Sequence, residues 1–236
     1  RNVAVLQIAR DVADQVEIDG VRHRLATAAD GLLPGVFYAR GGKSWDVLGY
    51  DESRNFQKNL DQNKRRDLQG PIDDAFMGPF VCVRGTGTPW SQAQAHWANW
   101  TLERFGREFD KWLRGRIRVV DDRSVNDEMI ANNNLVLFGD PGSNAVIARV
   151  LGKLPVEWTR EAIKVAGRTF LPADHGLSLI YPNPLNPRRY VVINSGHTFH
   201  AKDFKASNSW LFPRLGDIAV QKFRRRESGG YDETIA

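Results

Sequence analysis

Four consecutive apolar residues, Leu135-Val136-Leu137-Phe138, run directly into Gly139-Asp140-Pro141-Gly142-Ser143-Asn144, and this passage restricts the fold more than any other. A continuous apolar run of strand length suits a strand covered on both faces. The glycines and proline force a turn, and a helix is expected from about Ser143 to Leu151. Strand, turn and helix in that order predict an α/β sheet.

The neighbouring segments extend the pattern. Phe80 to Val83 reads as a second buried strand, and Ser91 to Leu113 as a long amphipathic helix. In that helix Ala93, Trp97, Trp100, Phe105, Phe109, Trp112 and Leu113 recur at roughly helical spacing, a stripe better suited to a core than to a ligand platform. Gly115 stands where a helix ends. A helical turn is expected over Val125 to Ala131, with strands near Val156, Ile163 and Thr169, then at Leu177 to Tyr181 and Tyr190 to Ile193. The last two are joined by Pro182-Asn183-Pro184-Leu185-Asn186-Pro187, too short for a crossover helix, so an antiparallel hairpin at one side of the sheet is expected. Residues 68–223 are thus expected to form a Rossmann-like α/β domain, a mostly parallel sheet with helices on both faces, followed by a polar tail over 224–236.

Residues 1–60 differ. Short runs at Val3 to Ile8, Val16 to Ile18, Val21 to Leu25, Val36 to Tyr38 and Trp45 to Leu48 predict a small N-terminal β layer, with hairpin turns at Asp19-Gly20 and Gly41-Gly42. The polar stretch Asp51 to Asp67 is the expected linker.

With 42% hydrophobic residues the 236-residue chain can bury a sizeable core without disulfides or metals. Its single cysteine, Cys82, lies in an apolar run and reads as a buried small hydrophobe. No apolar run is long enough for a membrane span. The net charge of +5 is scattered over Lys64-Arg65-Arg66, Arg188-Arg189 and Arg224-Arg225-Arg226, which with no recognisable binding motif argues against nucleic acid. The chain opens on Arg1, as an excised piece would.

Chemistry has two candidate locations. Gly139, Asp140, Gly142, Ser143 and Asn144 form a Gly-rich turn at a strand end, where an α/β sheet collects ligands; an anion or sugar is the expected class, against the plainer role of turn and helix cap with Asp140 or Ser143 as the cap. Asn194, Ser195, Gly196 and His197 follow a second strand. If both strands run parallel, the two sets converge on one crevice. An autonomous hydrolase would use Ser143 or Ser195 with His197 or His200, but no Gly-x-Ser-x-Gly elbow occurs, and no catalytic residue is assigned. No cofactor is expected: the P-loop pattern is absent and Gly85-Thr86-Gly87 has Trp90 in place of a third glycine. No metal is expected, since His197 and His200 lack a carboxylate at a matching spacing. Asp73-Asp74 and Asp121-Asp122 read as turn or cap residues.

The strings Leu68-Gln69-Gly70-Pro71-Ile72-Asp73-Asp74-Ala75-Phe76, Asn134 to Asn144, Ile180 to Tyr190 and Asn194-Ser195-Gly196-His197-Thr198-Phe199 resemble the region that follows the hydrolase domain in bacterial prolyl-oligopeptidase-like and acetyl-xylan-esterase-like proteins. The resemblance covers nearly the whole chain and is weakest over the first sixty residues. It implies a noncatalytic accessory domain of a larger, commonly exported serine hydrolase acting on peptides or carbohydrate esters. Its partner would be a hydrolase domain preceding this region, with a carbohydrate or peptide as substrate.

Overall fold

A computed structural model describes residues 5–9, 13–24, 35–41, 44–58, 65, 67–199 and 212–236. The chain divides into two compact units, Arg1–Leu60 and Asp61–Ala236.

In the first unit β1 (Val5–Ile8), β4 (Val36–Gly41) and β5 (Ser44–Val47) form an antiparallel sheet, and β2 (Gln15–Ile18) pairs with β3 (Val21–Arg24). Asp19 and Gly20 both take positive φ, 49° and 82°, the backbone that a two-residue hairpin with native twist requires. Ile18, Val36, Tyr38 and Trp45 form the small core. The linker expectation is corrected over its first part: Tyr50–Lys58 is helix α1, started by Asp51 and Glu52 and by the Glu52 carboxylate, which accepts from Gly49 N at 2.9 Å. Acids at a helix start offset its free amides, so a polar stretch here makes helix. Gly42 lies outside the described residues.

The second unit is built on seven strands in the order β15-β14-β12-β13-β8-β6-β7. They are β6 (Phe80–Arg84), β7 (Val119–Asp121), β8 (Asn134–Phe138), β12 (His175–Asn183), β13 (Asn186–Ile193), β14 (Ile218–Arg225) and β15 (Tyr231–Ile235). The Rossmann-like expectation is corrected. β7, β6, β8 and β13 run parallel, but β12, β14 and β15 are joined to the sheet by antiparallel pairs, so the sheet is mixed. Strand exceeds helix, 38% against 27%, and only α2 (Gln92–Leu113) among the described α-helices of this unit is long. The physical cause is connection length. A parallel neighbour needs a crossover of a dozen or more residues, which α2 supplies between β6 and β7, whereas the short turns from β12 to β13 and from β14 to β15 permit only hairpins. The β12–β13 hairpin forms with the expected polarity, yet it sits in the middle of the sheet and not at one side. Residues 224–236, expected as a tail, carry the end of β14 and all of β15.

Side-chain alternation divides the core by face. Cys82, Val136, Phe138 and Val192 point toward Leu102 and Phe105 of α2 and the 3-10 turn Ile72–Phe76. Val81, Val83, Leu135, Leu137, Val191 and Ile193 point the other way, toward Ile147 and Val150 of α4 (Ala145–Val150). That face is also covered by a separate small sheet of β9 (Glu157–Trp158), β10 (Ile163–Val165) and β11 (Arg168–Phe170), which the sequence placed in the main sheet. A short helix, α3 (Asp127–Asn132), leads into β8 with Asn126 as its cap.

Helix α2 starts at Ser91, whose side chain accepts from Gln94 N at 3.3 Å. It ends on Arg114 in the left-handed conformation, one residue before the expected Gly115. Its stripe serves two cores: Trp97 stacks on Phe223 at 5.3 Å, while Phe105 packs into the sheet. Among the described residues no helix is long and apolar enough to cross a membrane.

Candidate functional site

The parallel strands β6, β8 and β13 end at one edge of the sheet, and their following loops meet there. The two candidate sets therefore reach the same edge of the sheet, although not the single crevice expected from sequence. Asn194 closes the junction, its side-chain oxygen accepting from Gly139 N at 2.8 Å and its amide donating to Gly139 O at 2.9 Å.

The Gly-rich turn is occupied by its own hydrogen bonds. Asp140 is fully buried, with one carboxylate oxygen accepting from Gly142 N and Ser143 N at 3.0 and 2.8 Å. The other accepts from Trp90 N and Ser91 N at 2.7 and 3.0 Å. Asp140 N donates to Ser143 Oγ, and Asn144 N to Asp140 O. Every amide of the turn from Gly139 to Asn144 thus has a protein acceptor, Pro141 having none to give, which favours the turn-and-cap reading over an anion cradle. The cap of α4 is Asn144, not Asp140 or Ser143; it accepts from Val146 N and Ile147 N at 3.0 and 3.2 Å. Gly142 is small for packing reasons, since a Cβ there would come within 2.7 Å of the Thr88 carbonyl and run into the Trp90 ring.

Asp122 ties a further loop to this edge. Its carboxylate accepts from Thr86 Oγ1 at 2.7 Å, Thr86 N at 3.2 Å and Ala145 N at 2.7 Å. Burial alone raises its pKa, but the amides of Ala145, Arg123 and Thr86 and the Thr86 hydroxyl outweigh that and hold it below the ordinary value. The loop after β13 is anchored by Asp73, which accepts from Thr198 N at 2.7 Å and from the Thr198 hydroxyl. Burial raises the Asp73 pKa, partly offset by these bonds and by the nearby His197.

The candidate serines are held by main chain. Ser143 Oγ donates to Asp140 O at 3.2 Å, and Ser195 Oγ to Gly196 O at 2.9 Å. His197 turns toward α2, its Nε2 at 3.2 Å from Glu108 and its ring edge-on to Phe105 at 5.3 Å. A Cβ on Gly196 would strike Phe105, so that glycine makes room for the aromatic ring. His200 lies outside the described residues. Among the described residues no group of three or more His, Cys, Asp or Glu is arranged to hold a metal ion.

Although the two sets share an edge, they face different spaces. Gly139 and Ser143 border a groove of about 250 Å³ with Gly85, Gln92, His96 and Asn99. Asn194, Ser195 and His197 border a larger cleft of about 490 Å³ against the middle of α2 and strands β14 and β15. The sequence reading missed that second wall, because Trp100 looked like core and Gln221 and Glu233 lie on strands it did not assign. No protein-family model, curated protein or solved structure matches this chain.

Proposed function

We propose that this chain is a noncatalytic accessory domain of a larger bacterial serine hydrolase, a peptidase or carbohydrate esterase, in which it shapes substrate access or stability. The observation that carries this reading is the state of the two candidate nucleophiles. Ser143 Oγ and Ser195 Oγ each donate to a main-chain carbonyl, and His197 is directed to Glu108. An activated serine needs a base at its hydroxyl and an oxyanion hole beside it. The turn amides that could serve as oxyanion donors are already bonded inside the protein. The strings from Asn134 to Asn144 and from Asn194 to Phe199, which resemble the post-hydrolase region, coincide with this hydrogen-bonded edge.

The partner in this reading is the hydrolase domain itself. The test joins the chain to a hydrolase domain of that class and compares it with the hydrolase domain alone. An accessory role predicts the same labelling of the hydrolase nucleophile in both, with KM or melting temperature changed by the chain. Identical KM and melting temperature in the two proteins would refute it.

A further inference from the structure

We infer that the 490 Å³ cleft between α2, β14, β15 and the described residues 194–199 and 214–215 is a binding site for a neutral polyhydroxylated ligand, a mono- or disaccharide. The inference is independent of any hydrolase partner. Its volume falls within the range of small-molecule sites.

The charge of the lining selects the class. Among the described residues, Arg104, Arg214 and Arg226 face the cleft together with Glu108, Asp232 and Glu233, three cations against three anions. A balanced lining exerts no net pull on an ion. The pairs are also closed on each other: Arg104 meets Glu233 at 2.6 Å and Arg226 meets Asp232 at 3.6 Å. A charged or zwitterionic ligand would have to open the part-buried Arg104–Glu233 pair to gain either as a partner, and a part-buried charge left alone is costly. A hydroxyl donates and accepts at once, so it can bridge an Arg N–H and a carboxylate oxygen while leaving the pair intact.

The lining is also held in place from behind. Glu233 accepts from Trp97 Nε1 at 2.8 Å through its other oxygen. The Gln221 amide donates to Ser178 Oγ at 2.8 Å, and that hydroxyl donates to Asn194 O at 3.0 Å, which fixes the carboxamide plane. Arg104 lies over Trp100 at 4.4 Å, and Trp100 and Tyr231 meet at 5.3 Å. The Arg104 guanidinium covers a face of Trp100, so these rings hold the Arg104–Glu233 pair in position at the cleft. Polar groups whose orientation is set before the ligand arrives lose little entropy on binding.

Amide and indole N–H resonances of the full chain, titrated near neutral pH with D-xylose, cellobiose, D-glucuronate, D-glucosamine and glycylglycine, test the inference. The neutral sugars are expected to shift Trp100 Nε1–H and the amides of Gln221 and Glu233. Glucuronate and glucosamine are expected to bind about tenfold more weakly or worse. Glu233→Gln gives the lining one net positive charge and should move preference toward glucuronate by about tenfold, and Arg104→Gln should move it toward glucosamine. Gln221→Leu leaves the charges alone and should weaken the neutral sugars, with resonances away from Gln221, Ser178 and Asn194 unchanged. No cleft shift with either neutral sugar, equal binding of the charged sugars, or shifts from glycylglycine in their place would overturn the inference.

Discussion

Asn194 and Gly139 exchange two hydrogen bonds, at 2.8 and 2.9 Å, across the ends of adjacent parallel strands. Both residues lie in runs that the sequence marks as candidates for ligand binding, and the structure joins them to each other. Asn194→Ala leaves a buried amide and a buried carbonyl without partners and should destabilise the fold by about 2–3 kcal/mol in urea denaturation. It should also speed hydrogen exchange at Gly139 N. Unchanged exchange there would show that another acceptor takes over.

Asp140 gathers four amides from two loops, so Asp140→Asn should cost about 3 kcal/mol while changing almost no volume. The amides of Trp90 and Ser91 should lose protection together with those of Gly142 and Ser143. Loss confined to one loop would contradict the view that this carboxylate ties both.

Asp122 makes a prediction that depends on pH. Its folded pKa lies below the ordinary 3.8, so its stabilisation is fully present above that value and fades as pH falls through the folded pKa. At neutral pH Asp122→Asn should cost about 1–3 kcal/mol. The gap between wild type and variant should narrow below about pH 3.8. A gap that stays constant into acid would place the stabilisation elsewhere.

Gly196→Ala puts a methyl group into Phe105 and should destabilise by about 1–3 kcal/mol. Adding Phe105→Leu opens the space, so the double variant should lose less than the sum of the singles in a mutant cycle. Strict additivity would mean that the glycine serves its backbone and not this contact.

These residues show why part of the molecule was legible in sequence and part was not. Strand β8 and the β12–β13 hairpin announce themselves locally, by a continuous apolar run and by a connection too short to cross over. Strand β15 does not: Tyr231-Asp232-Glu233-Thr234-Ile235 looks polar and is made a strand by pairing with β14 and by Tyr231 packing on Phe223. Helix α1 was hidden by the same acids that start it. The two candidate runs were visible and their convergence followed from parallel strands, but side-chain direction sends Ser143 and His197 to different spaces. The larger cleft was unreadable because its central pair, Arg104 and Glu233, is 129 residues apart.

The proposal of a noncatalytic role is tested most directly by labelling the folded chain with a serine-directed fluorophosphonate, with Ser143→Ala and Ser195→Ala as controls. With both hydroxyls held by main-chain carbonyls, no labelling above that of the double variant is expected, and p-nitrophenyl acetate should be hydrolysed no faster than in buffer. Stoichiometric labelling of the wild type that either substitution abolishes would contradict the account.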